Sequence, residues 1–240
     1  MLTTMGVGRG KVSVAAGGGS WSLVQSRSSD LAFIQNMPLA FVSNVTSGNL
    51  IVVIGTTGNG TDIFTGVTDT LSNSYARSTN GFQADTGNGQ SVVCYYAKAT
   101  SGGACTVTIA KSADADFSAI AIHEFAHSGG VNAAPFDVGA GQFDSTGSTS
   151  ANADVSTAAT TTANGDLIFG VAAGTSTGST TWTAGTSPTA FSEAQEVTMG
   201  GSAGMQTEWA EQTSAGSIEA TWTASDTAQY CAIMATFKKA

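Results

Sequence analysis

A chain of 240 residues that is 41% hydrophobic and only 10% charged, with 30 glycines, must cover its surface with hydroxyls and small side chains instead of Lys and Glu. That excludes a mainly helical protein, whose exposed faces carry Lys, Glu and Arg to keep helix propensity. The net charge of −9 and the lack of any basic run exclude a partner held by its phosphate backbone.

Residues 1–20 are Gly-rich, carry Arg9 and Lys11, and read as an arm that orders only against a neighbouring subunit. The stretch 6–11 resembles a phosphate loop but has no strand before it. The same region lacks the apolar segment of a secretion signal, and no 18-residue apolar run predicts a membrane span. A surface-type composition without a signal suits a virion component, made in the cytosol and ending outside the cell; a cropped chain would explain it equally.

From Trp21 onward, short β-type runs alternate with Gly/Ser/Asn/Asp clusters. Strands are predicted at 21–26, 39–42, 49–57, 66–69, 75–77, 91–99, 105–110 and 117–127. A long loop is expected through Pro135, then strands at 136–143, 153–162, 166–173, 180–183, 190–198, 205–212, 217–223 and 229–238. The run 49–57 is apolar at consecutive positions, as in a strand covered on both faces or at its centre. No helix longer than two turns is expected. Cys94, Cys105 and Cys231 are too few for a disulfide framework and read as small apolar side chains, with one disulfide as the alternative.

The chain echoes itself. Gly48-Asn49-Leu50-Ile51 recurs as Gly165-Asp166-Leu167-Ile168, and the strands closing on Phe125 and Phe237 follow Asp114 and Asp226 at the same spacing. Two similar β halves fit a double-sheet sandwich. The order of short motifs is also similar to a known module: residues 47–53, Val67-Thr68-Asp69 through Tyr75, Val107-Thr108-Ile109, Glu124-Phe125-Ala126-His127-Ser128-Gly129, Pro135-Phe136-Asp137-Val138, Gly165-Asp166-Leu167-Ile168 and the final Ala-Thr-Phe-Lys. It resembles the jelly-roll β-sandwich modules, concanavalin-like or carbohydrate-binding-module-like, of bacterial secreted and phage virion proteins. The resemblance covers residues 21–238 and implies a sandwich without a common catalytic centre. In that pattern the Glu124 segment is a strand running into a turn, and His123 and His127 depart from it. The expectation is therefore all-β: a two-sheet antiparallel jelly-roll β-sandwich over 21–240 with two similar halves, preceded by the arm at 1–20.

One motif pulls the other way. His123-Glu124-Phe125-Ala126-His127 has the H-E-x-x-H spacing of zinc hydrolases. On a helix the histidines would stand about 6 Å apart and share a zinc ion, with Glu124 as base. On a strand they stand about 13 Å apart and cannot. The alignment of 117–125 with 230–237 favours the strand. Position 133, where an extended motif would place a third ligand, is Ala133, leaving Asp137, Asp144 and Glu193 without motif support.

Other constellations are weaker. Glu193, Glu196, Glu208 and Glu211 read first as solvent-facing strand charges. Loops at 59–62 and 137–144 have oxygens that suit Ca²⁺, yet turn chemistry accounts for them without it. Hence no cofactor is predicted, Zn²⁺ entering only with the alternative above. Trp182 and Trp209, with Glu208 and Gln212, would suit a sugar ring, while core filling is the plainer reading of Trp209 and Trp222. The functional expectation is a non-enzymatic structural or assembly protein of a virion or cell surface, a capsid decoration or fibre/appendage component that associates with itself or other surface subunits. A carbohydrate-binding module with a polysaccharide partner is the alternative.

Overall fold

The computed structural model describes residues 19–31, 33–115, 117–145, 152–154, 158–175, 181–187, 189–199, 203–225 and 229–240. Residues 1–18 of the expected arm, with the stretch 6–11, and Asp226 lie outside the described residues.

The first half contains β1 (Trp21–Asp30), β2 (Asn36–Ala40), β3 (Leu50–Thr57), β4 (Phe64–Asp69), β5 (Ala76–Asp85), β6 (Gln90–Lys98), β7 (Thr106–Lys111) and β8 (Ser118–His127). The second contains β9 (Val131–Asp144), β10 (Asn152–Asp154), β11 (Ala159–Thr160), β12 (Asp166–Thr175), β13 (Trp182–Ala184), β14 (Ser192–Met199), β15 (Ala203–Gln212), β16 (Ser217–Ile218), β17 (Thr221–Ala224) and β18 (Gln229–Lys239). Every strand pairing is antiparallel and no helix occurs among the described residues.

Two of the sequence expectations need correction. Among the described residues the strands form five sheets, not two: a five-stranded and a three-stranded sheet in each half, plus the two-stranded β11-β16. The loop expected through Pro135 is also strand. β9 begins at Val131 and, as the outer strand of its sheet, accommodates a proline that cannot donate to a ladder.

The pairing order repeats. In the first half it is β1-β8-β3-β6-β5 with β2-β7-β4; in the second it is β9-β18-β12-β15-β14 with β10-β17-β13. The register repeats as well. Leu50 pairs with Phe125, and Leu167 pairs with Phe237. Just before each leucine strand, Gly48 at φ +91° and Gly165 at φ +77° make the same left-handed turn. Their amides donate 2.8 Å bonds to the carbonyls of Ala99 and Gln212 respectively. Glycine takes that conformation without the steric cost a side chain would add.

The sheets stack in four layers. Alternate residues of the two five-stranded sheets meet in a central core that includes Leu50, Val52, Ile54 and Phe125 from the first half with Leu167, Phe169, Val171 and Ile233 from the second. Their other faces pack outward on the three-stranded sheets, through Ile51, Val53, Ile109 and Ile122 in one half and Ile168, Ala172, Trp222 and Met234 in the other. The middle strands are thus buried on both sides, and β3 is buried at every position. This is why 49–57 reads as an unbroken apolar run.

Side edges are closed across the layers. Ser28 Oγ donates to Gln195 Oε1 at 2.9 Å and Gln195 Nε2 to Ser26 Oγ at 2.8 Å, joining β1 to β14. Asn80 Nδ2 donates to Gly139 O at 3.0 Å, joining β5 to β9. Trp21 staples the halves, its indole N–H donating to Gly165 O at 2.9 Å and its backbone N–H to Glu211 Oε2 at 3.1 Å.

Because Phe125 packs edge-on against Phe169 (6.0 Å) and Trp209 (5.6 Å) of the other half, Phe125→Ala is expected to cost about 3–5 kcal/mol. Denaturant unfolding followed by tryptophan fluorescence and by far-UV circular dichroism should give one coincident transition with a lowered midpoint. Two separated transitions would show that the halves are energetically independent.

Candidate functional site

Residues 118–127 form β8, so H-E-x-x-H lies on a strand. His123 and His127 fall on one face and Glu124 on the other, and the three do not converge. His123 is buried in the central core, edge-on to Phe169 at 4.9 Å, with Nε2 at 2.9 Å from Thr207 Oγ1 of β15. Burial drives its pKa down to about 3, so the imidazole is neutral in ordinary buffers. His127 lies against the Trp21 ring at 5.2 Å, and its Nδ1 accepts the Gly129 amide at 3.0 Å. The alternative of zinc held by His123 and His127 with Glu124 as base loses its geometry here.

Glu124 does different work. Fully buried, it accepts the Thr46 amide at 2.7 Å, Asn49 Nδ2 at 2.7 Å and Gln25 Nε2 at 2.6 Å. Gln25 in turn holds Ser43 through its amide and its hydroxyl. One carboxyl therefore ties β1, β8 and the 43–49 loop, supplying acceptors where the chain turns into β3.

The expected sugar-binding set does not form one surface. Trp182 is buried in the outer core of the second half, edge-on to Tyr230, so it is not an exposed platform. Trp209 turns into the central core. Glu208, its neighbour along β15, points the opposite way, as strand alternation requires. There it is buried, accepts the Gly185 amide at 2.9 Å, and is pushed up to about 8 by burial. Gln212 Oε1 accepts the Thr161 hydroxyl at 2.7 Å within the same layer. For Trp209, Glu208 and Gln212 the physical reason is common: in a four-layer stack, both faces of β15 look inward, while Trp182 stands on the inner face of β13.

The expected Ca²⁺ loops are also engaged internally. Asn59 Oδ1 accepts the amide and hydroxyl of Thr61, and Asp62 pairs with Arg77 at 2.5 Å. The 137–144 stretch is strand, not loop. Cys94, Cys105 and Cys231 are buried and unbridged, with thiols pushed up to about 12 by burial.

Two features were not anticipated. An open groove of about 610 Å³ runs between the end of β6 and the start of β9, lined by Tyr96, Lys98 and Pro135 with Ser47, Ser74 and Thr100 at its polar positions. Tyr96 stacks on Phe136 at 5.5 Å. The other is a pair of carboxyls, Asp137 and Asp166, whose oxygens lie within hydrogen-bond reach of each other. Its one sequence signal was the change from Asn49 to Asp166 within the otherwise matching Gly-Asx-Leu-Ile echo. Comparison with protein-family models, curated proteins and solved structures gave no significant match to this chain.

Glu124→Ala would orphan the Thr46 amide and the Asn49 side chain, and a stability loss of about 2–4 kcal/mol is expected from equilibrium unfolding. Ring-proton NMR should find one histidine with no titration midpoint above pH 4. Since the pKa of His123 falls from 6.5 to about 3 on folding, its contribution to stability is complete above pH 6.5 and is withdrawn as pH drops toward 3.

Proposed function

We propose that this chain is a non-enzymatic structural or assembly protein of a virion or cell surface, of the capsid-decoration or fibre/appendage type, built from two jelly rolls in tandem. The pairing order supports the fold reading: in each half, with the short pair β11 and β16 set aside, the first strand lies beside the last and the third beside the sixth, facing a sheet in which the seventh lies between the second and fourth. The departure is β5, which pairs with β6 and not with β4.

The observation that carries the functional reading is how the chemistry-bearing side chains are used. Glu124, His123, Glu208 and Gln212 each bond to a neighbouring strand or loop, so they hold layers together instead of facing a common opening. The surface adds to it. Val24 (46% exposed) and Val42 (79% exposed) flank the Gln25–Ser43 bonds beside the β1 edge, an apolar pair suited to burial against another subunit. A solution mass measurement over rising concentration should show self-association, weakened by Val24→Asp with Val42→Asp. A strict monomer at high concentration counts heavily against the proposal.

The groove favours a second reading, a carbohydrate-binding module that uses Tyr96 in place of the buried tryptophans. Sugars offer an apolar C–H face to an aromatic ring and hydroxyls to a polar rim. Affinity-gel retardation on polysaccharides that is lost in Tyr96→Ala would establish it; no retardation on any polysaccharide removes it.

A further inference from the structure

We propose that Asp137 and Asp166 share a single proton, making the junction between β9 and β12 a pH-sensitive latch in the second half. The comparison with the first half carries the argument. Asn49 and Asp166 are equivalent: each follows a positive-φ glycine and precedes the leucine that pairs with the terminal phenylalanine of the last strand. In the first half the Asn49 amide donates to the carboxyl of Glu124. In the second, Thr236 occupies the position of Glu124, and a bulge in β9 opposite Thr236 brings in the carboxyl of Asp137 instead. That carboxyl accepts the Thr162 amide at 2.5 Å and the Thr162 hydroxyl.

Asp166 is fully buried, and neither of its oxygens meets an N–H or hydroxyl donor among the described residues. An aspartate can stand in for the asparagine only as the neutral acid, its O–H donating to Asp137 as the Asn49 N–H donates to Glu124. Loss of that proton to water leaves two carboxylates in contact within a buried site.

The charges facing the pair are few among the described residues. β18 supplies Lys238, 3.6 Å from Asp137, and the more distant charge of Lys239. β15 supplies Gln212, which is neutral and bonded to Thr161. Both lysines favour the ionised form of Asp166, yet burial and the Asp137 hydrogen bond outweigh them and lift Asp166 to about 7. Asp137 is held below the usual carboxylate range by its Thr162 bonds, its bond from Asp166 and Lys238. A calcium ion fits the place poorly. It asks for six to eight oxygens, whereas Asp137 already serves Thr162 and an ammonium stands beside it.

The sign follows from linkage. The folded protein keeps the Asp166 proton up to about pH 7, while the unfolded chain releases it near 3.8. Stability from this group therefore declines as pH rises across that window and is level above it. Asp137, lowered on folding, acts below 3.8 and in the opposite sense. His123 also opposes Asp166 across part of the window, so the informative quantity is the difference between wild type and variant.

Asp166→Asn rebuilds the arrangement of the first half. The melting temperature of the variant minus that of wild type should grow steadily from pH 4 to pH 7.5 and then flatten. Parallel melting curves, or a constant deficit at every pH, would overturn the proposal. Wild-type protein with ¹³C-labelled aspartate gives a test independent of the variant's folding: one carboxyl should titrate near neutral pH, and aspartates that all titrate below pH 5 would refute it. A rise in wild-type melting temperature on adding Ca²⁺ at pH 8, absent in Asp166→Asn, would also overturn it by showing that a cation joins the pair.

Discussion

The two middle sheets are pressed between other sheets on both sides, and most of the molecule follows from that. Along β3, Leu50, Val52 and Ile54 meet the second half while Ile51 and Val53 meet the outer sheet of their own half. No residue there has water as a neighbour, so each polar group must find its partner inside the protein or cost stability. Thr56 and Thr57 bond to Ser91, and His123 bonds across the layers to Thr207. The depressed pKa of His123 is the same constraint expressed as proton chemistry: a site with no solvent disfavours the charged ring.

Within this frame the halves keep one backbone plan and differ in what fills it. Matching registers set Val53 against Gly170, Tyr95 against Glu208 and Val93 against Gln206. The exchanges compensate in volume. A Cβ on Gly170 would lie 2.8 Å from the Trp222 ring, so the glycine makes the room the indole occupies. They do not compensate in polarity. At these positions the first half has Tyr95 and Val93, while the second buries Glu208 and Gln206 beside two indoles. Glu208 tolerates that environment by holding its proton, and its raised pKa follows directly from the substitution of an acid where the first half has an aromatic.

Much of the architecture was legible in the residues. The consecutive apolar run at 49–57, the Gly-Asx-Leu-Ile echo and the strand identity of 118–127 all reappear in the structure. The layer count did not follow from them. Periodicity reveals that a strand is covered on both faces, but not which sheet supplies the second cover. A single two-sheet sandwich and a stack of four layers therefore leave nearly the same pattern. The neighbours Trp209 and Glu208 show the same limit. In a two-sheet sandwich Trp209 and Glu208 would place one neighbour inside and one outside; in four layers both are inside. Short strands such as β10 and β11 were merged into one run, because Thr, Ser and Ala carry little directional signal.

The concentration of polar chemistry near β8 has its cause in the path of the chain. To begin each central strand, the backbone leaves the surface through a positive-φ glycine and enters a dry layer within two residues. The carbonyls and amides of that turn need partners, and the side chains able to supply them are acids and amides. Glu124 and Asn49 meet the need in one half; Asp137, Asp166 and Thr162 meet it in the other. Acids and amides gathered around these turns are thus what a β stack of this depth requires at its central strand starts. The motif drew attention because its residue types are those of a zinc site. Its strand setting sends the acid to one layer and both imidazoles to another, where His123 meets Thr207 and His127 meets Trp21 and Gly129.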